Sequence, residues 1–191
     1  MSFFEKFFDR EYWLREGREW GQSLIIALVV TLIVRTYVIQ AFKIPSGSMR
    51  PTFLEGDKIF VNKYIYRFKD PQRGDIVVFR FPDKTGGKKK DFIKRLAGLE
   101  GDKVEIRDGR VIVNGQELND PGTFGKFYYY NAEPYGGPYD QIRVPEDSFY
   151  VLGDNSSNST DSRYWGFVPR KNVLGKAVFR WWPPKRMGRI T

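Results

Sequence analysis

Residues 102–118 read DKVEIRDGRVIVNGQEL, and the reading of this stretch decides the fold. Val104-Glu105-Ile106 and Val111-Ile112-Val113 stand on either side of Asp108-Gly109, and Asn114-Gly115 follows at once. Asp-Gly and Asn-Gly accept the positive φ angles of two-residue hairpin turns, so the stretch predicts a β-meander. Working outward, short β-type runs at 58–62, 75–81, 92–96, 148–152 and 175–181 predict further strands. No long helical period follows residue 43. Residues 43–191 are therefore expected to form a single, mostly β domain. Within it, NDPGTFGKFYYYNAEPYGGPYD, residues 119–140, is rich in Gly, Pro and Tyr and reads as an elaborated loop or extended hairpin. GGKKK at 86–90 reads as an exposed turn.

Upstream the pattern changes. Residues 20–42, WGQSLIIALVVTLIVRTYVIQAF, hold an apolar run over 24–34 that is too short to cross a bilayer alone. Taken from Ser23 through Phe42, the segment reaches about 30 Å as a helix, which matches the hydrocarbon thickness, with Arg35 snorkelling to the nearer interface. One N-terminal transmembrane helix over 21–42 is expected. A cleaved signal peptide fits less well, because five acidic residues precede the run and a cut after Ala41 would place Ile39 where a small side chain belongs. A helix buried in a soluble core is the other alternative; the β-branched run with its Trp and Tyr flanks favours the membrane. Residues 1–20 set Phe4, Phe7, Phe8 and Trp13 among alternating charges, the pattern of an amphipathic helix at a membrane surface or on a partner.

Composition bounds the chemistry. With 191 residues, 41% of them apolar, the chain has material for one well-buried domain. It has no His and no Cys, which excludes Ser-His-Asp and Cys-His devices, thiolate and imidazole zinc sites, and disulfides. The net charge is +9, yet residues 1–42 carry five basic and five acidic side chains, so the whole excess lies beyond them. Such a surface suits anionic lipid as well as nucleic acid and does not choose between them. Basic residues flank the apolar run about equally, so charge alone does not set its orientation.

Residues 45–49 read PSGSM. A serine nucleophile here needs a base, and without histidine the available types are Lys, Asp, Glu and Tyr. A lysine of ordinary pKa is neutral in only about 1 in 2,500 copies at pH 7, a cost of about 4.6 kcal/mol unless burial lowers it. A lysine base belongs among apolar neighbours. In DFIKRLAGL, 91–99, read as a strand, Lys94 shares a face with Phe92 and Leu96, while Arg95 points the other way with Ile93 and Ala97. Periodicity alone leaves Lys94 open to the commoner fate of snorkelling from a sheet rim. PSGS is equally an ordinary turn with hydroxyls bonded to local backbone.

Four segments together carry a resemblance. FKIPSGSMRPT (42–52), KDPQRGDIVVFRFP (69–82), DFIKRLAGLEGD (91–102) and GDNSSNSTDSRYWGFV (153–168) resemble, in order, the sequence boxes of the type I signal peptidases. The resemblance implies Ser48 as nucleophile, Lys94 as general base and Ser46 as an oxyanion donor. It implies that Ser159 hydrogen-bonds the Lys94 amine, and that Asp161 and Arg163 form a supporting ion pair with Asp154 nearby. Phe42, Ile44, Pro45 and Ile93 match positions that line the substrate pockets. One departure stands out: Ser156-Ser157 replaces an Arg-Asp pair, which removes a possible ion pair from that loop.

The activity implied is removal of signal peptides from secretory preproteins after small-x-small sites, with no cofactor or metal and no nucleic acid. The setting implied is the plasma (inner) membrane, with the N-terminus cytoplasmic and the β domain on the outer face. The domains expected are 1–20 interfacial, 21–42 anchor and 43–191 peptidase. Trp181 and Trp182 either rest on lipid or fill the core. Two rivals remain on sequence grounds: a soluble, self-cleaving Ser-Lys domain, and a non-catalytic tethered β-module for anionic lipid or polymer.

Overall fold

The computed structural model describes residues 10–33, 38–81 and 89–190. The chain falls into two units, residues 1–39 and 40–191. In the first, α1 covers Arg10–Ile33. Its residues Leu24, Ile25, Ile26, Leu28, Val29, Val30 and Leu32 are exposed.

The expected helix over 21–42 is corrected at its end, because Ile39–Lys43 forms strand β1, laid beside β2 (Lys58–Asn62). The partner strand satisfies extended backbone that the apolar composition of 38–42 had assigned to a helix. Among the described residues, no helix is long and apolar enough to cross a membrane. Arg35, Phe4, Phe7, Phe8 and most of the 86–90 turn lie outside the described residues.

The second unit is mostly β, as expected. Its main sheet runs β1-β2-β11-β3-β4-β9-β10, with β3 at Ile76–Phe81, β4 at Lys90–Gly98, β9 at Ser148–Leu152, β10 at Val168–Pro169 and β11 at Val173–Trp182. A short β12, Gly188–Arg189, pairs with β11. The second sheet is the meander read from the sequence, ordered β7-β6-β5-β8 with β5 at Lys103–Arg107, β6 at Arg110–Val113, β7 at Gln116–Glu117 and β8 at Ile142–Arg143. Both its turns take the predicted form: φ is 50° and 77° at Asp108-Gly109, and 53° and 80° at Asn114-Gly115.

Residues 119–140 form a loop with one 3-10 turn at Phe124–Lys126; the hairpin alternative is not realised. Its buried members Phe124, Phe127 and Tyr129 close the meander's core with Val104, Ile106 and Val111. Two further cores lie on the main sheet. One gathers Ile44, Met49, Phe53, Ile59 and Ile93; the other gathers Val77, Phe79, Leu96, Phe149 and Val151. Strand β4 contributes to all three, through Ile93, Leu96 and Ala97. That placement puts the middle of β4 at the deepest part of the unit.

Candidate active site

The segment after β1 turns sharply. Ser46 is extended (φ −143°, ψ 160°), and Gly47–Met49 then form a 3-10 turn closed by Arg50 N–H donating to Gly47 O at 3.1 Å. Met49 and Phe53, both fully buried, pin this turn into the apolar core and carry Ser48 inward, to 8% exposure. From the other side Asn155 holds it: its backbone N–H donates to Ser48 O and its side-chain amide to Gly47 O, each at 3.0 Å.

Lys94 meets Ser48 from β4, where it stands opposite Val77 on β3. Phe92, Leu96 and Val77 belong to one apolar cluster, and the opposite face of β4, with Ile93, Arg95 and Ala97, is buried as well. The Lys94 side chain is buried, and its Nζ lies 2.7 Å from Ser48 Oγ. Burial lowers the ammonium from its ordinary value to about 8; the Asp161 and Asp154 carboxylates oppose that fall, and the Arg163 guanidinium assists it. At pH 7 a group of that pKa is neutral in about one copy in ten, at a cost of about 1.4 kcal/mol.

The segment after β9 encloses the pair. Gly153 fills a gap with no room for a side chain: a Cβ there would stand 2.1 Å from Ser159 Oγ and 2.6 Å from Ser48 O. Asp161 caps the short helix α2, Ser162–Trp165, and its carboxylate accepts from the N–H groups of Arg163 and Gly153. Arg163 completes the expected ion pair, with Nε and Nη2 each 2.8 Å from Asp161 and neither side chain exposed.

Ser156 fills the place of the missing ion-pair partner differently. Its buried hydroxyl accepts from Arg163 Nη1 at 2.6 Å and from Tyr130 N–H at 2.8 Å, while its carbonyl accepts from Arg163 Nη2. The loop is thus tied by the Asp161 carboxylate and by neutral acceptors around one guanidinium. Ser157 lies exposed beside it.

Ser159 departs from expectation. Its hydroxyl is buried with no hydrogen-bond partner, so the bond to the Lys94 amine is not formed in this arrangement. The Lys94 amine is directed at Ser48 instead. Ser46 is exposed at the lip of the turn. The four expected pocket residues, Phe42, Ile44, Pro45 and Ile93, do come together: with Ile59, Val78 and Phe92 they line one open cleft.

Sequence reasoning gave Asp154 no partner and did not single out Arg95 or Thr52. Arg95 Nε and Nη2 grip Asp154 at 2.8 Å each, with both side chains fully buried. A buried arginine beside the base, in a strand otherwise apolar at its centre, was the available signal, since such a charge needs a carboxylate.

Comparison with known proteins agrees with this architecture. Residues 17–182 match the family described as signal peptidase, peptidase S26. A protein named probable signal peptidase I-2 from Synechocystis sp. is 43% identical over 175 residues, covering 91% of this chain and 77% of its own. Signal peptidase I from Leptolyngbya laminosa is 41% identical, covering 88% and 81%, and signal peptidase I from Pseudomonas aeruginosa is 34% identical, covering 90% and 75%. The chain is a serine endopeptidase. It belongs to the signal peptidase family, peptidase S26.

Proposed function

We propose that this endopeptidase removes signal peptides from secretory preproteins with Ser48 as nucleophile and Lys94 as general base. The observation that carries the reading is the 2.7 Å approach of Lys94 Nζ to Ser48 Oγ, with both side chains buried. Neutral Lys94 takes the Ser48 proton as Oγ bonds to the scissile carbonyl carbon. The C–N bond then breaks, and Lys94 returns the proton to the departing amine. Neutral Lys94 then deprotonates water as it attacks the acyl carbon, and returns that proton to Ser48 Oγ as the ester C–O bond breaks. Ser46 and the Ser48 N–H stabilise the oxyanion, a role worth about 3–4 kcal/mol of barrier per donor. Ser159, buried beside Gly153, orients the amine once Lys94 swings off Ser48.

The substrate lies extended along the cleft of Phe42, Ile44, Pro45 and Ile93, whose shallow apolar lining favours small side chains before the cut. α1 attaches the enzyme to the lipid of the plasma (inner) membrane, with the N-terminus cytoplasmic, residues 1–20 at the interface and the β domain outside. Attachment raises the effective concentration of a membrane-bound substrate. The test is cleavage in detergent of a purified preprotein bearing an Ala-x-Ala site, with sequencing of the new N-terminus. The expected result is a cut after the second alanine that disappears in Ser48→Ala. An equal cut by that variant sinks the assignment.

A further inference from the structure

Thr52 lies four residues beyond Ser48, and its hydroxyl donates to Asp154 Oδ2 at 2.5 Å. Arg95, the residue after Lys94, grips the same carboxylate through both oxygens, Nε to Oδ1 and Nη2 to Oδ2. Nucleophile and base are therefore each tied, through a chain neighbour, to one buried carboxylate. The aim of Thr52 is fixed from its other side, because its carbonyl accepts from Arg180 Nη1 at 2.8 Å and Arg186 Nη2 at 3.4 Å.

The charged groups that act on the Lys94 amine are Asp154 and Asp161 from the segment after β9, and Arg163 from α2. Arg95 extends from the same strand as Lys94 and engages Asp154. Tyr129 lies among these groups, with burial pushing its phenol up so that it stays neutral. Asp161 is matched by Arg163. A carboxylate left open beside an amine favours the ammonium form and so opposes a lysine base. Asp154 is the carboxylate whose charge must be absorbed by something other than Lys94.

We propose that Thr52 is a positioning residue for the cleavage reaction: it adds a further hydrogen bond to the Asp154 carboxylate that Arg95 grips, so that the Lys94 amine is free to be neutral when Ser48 attacks. This rests on the reading of Ser48 and Lys94 given above. Removing the hydroxyl frees a lone pair of Asp154 in a site of low dielectric, where this carboxylate already acts on the Lys94 ammonium. The consequence is a base of higher pKa, which is an effect on protonation and not merely on fold.

The experiment compares wild type, Thr52→Val and Thr52→Ser, full-length in detergent, by kcat/KM for an Ala-x-Ala preprotein from pH 6 to 11. In Thr52→Val the rising limb should move up by about one pH unit, so that cleavage at pH 7 falls about tenfold and recovers at high pH. Thr52→Ser, which keeps the donor, should hold the wild-type limb. Arg95→Lys, which keeps the charge but cannot hold both oxygens, should move the limb the same way and replaces Thr52→Val if that variant folds poorly. A limb that stays in place overturns the proposal, whether the rate is unchanged or reduced by one factor at every pH. Failure of the dyad reading is separate: it appears as cleavage surviving Ser48→Ala.

Discussion

Gly153 and Ser159 are packed so closely that a Cβ on Gly153 would lie 2.1 Å from the Ser159 hydroxyl oxygen. The same Cβ would also meet the Ser48 carbonyl at 2.6 Å, so the glycine is what lets the β9 segment press against both the nucleophile turn and Ser159. Gly153→Ala should displace the turn by about an ångström and lower kcat/KM by about two orders of magnitude or more. Circular dichroism should show the sheet intact. Full activity with an intact sheet would mean that the site absorbs the added methyl without a shift of the nucleophile turn.

The pH dependence of cleavage follows from the depressed Lys94. The base acts when neutral, and burial brings its pKa to about 8, so kcat/KM should climb about tenfold per unit below pH 8 and level off above it. A stopped assay from pH 6 to 10 checks this. A limb near the ordinary lysine value would show that the amine is solvated in the working enzyme.

Stability should carry an imprint of the same group at higher pH. In the unfolded chain Lys94 titrates near its ordinary value, and in the fold near 8. Below pH 8 both states are protonated, and the fold bears the cost of a buried ammonium. Between the two values the unfolded chain alone keeps its proton, so stability rises with pH. Lys94→Met should therefore unfold at higher denaturant at pH 7, by about 3 kcal/mol, with the gain fading above pH 8. Denaturant melts of both proteins at pH 7 and pH 10 measure the difference.

Breaking the Asp161–Arg163 pair should be costly in a way that depends on which partner goes. Arg163 also donates to Ser156 and to the Tyr130 carbonyl, so Arg163→Met leaves a buried carboxylate and several acceptors unpaired at once. A loss of about 3–5 kcal/mol is expected by urea denaturation. Ser156→Ala, which removes one neutral acceptor from this cluster, should cost about 1–3 kcal/mol and leave the pH limb unmoved.

Cleft shape offers a test of specificity. Ile93 is nearly buried at the cleft wall, and Ile93→Ala should widen it enough to admit a side chain larger than alanine before the cut. Competition between preproteins carrying Ala and Val at that position would measure the change in the kcat/KM ratio. An unaltered ratio would assign Ile93 to the core alone.

Much of this was legible because local chemistry and tertiary structure agree. The strands at 58–62 and 148–152 are bounded as their residue patterns imply, and both two-residue turns take the φ angles that Asp-Gly and Asn-Gly allow. Strand β1 was hidden because Ile39, Ala41 and Phe42 are as apolar as the helix before them, and only pairing with β2 reveals the change. Ser48 and Lys94 were both visible by resemblance, since the face of Lys94 alone left its role open. Arg95 was not, since its meaning lies in a carboxylate 59 residues away. Ser156 shows the limit of reading by substitution: a missing charge suggested a weakened loop, while a buried hydroxyl in fact takes the arginine's bond.

Arg180 and Arg186 reach back more than a hundred residues to hold Thr52 and Asp57, just past the nucleophile. On a ribosome, the serine turn emerges long before these two clamps, so a growing chain carries Ser48 without the grip that fixes its surroundings. The Thr52 carbonyl and the Asp57 carboxylate therefore gain these partners only after synthesis has passed residue 186.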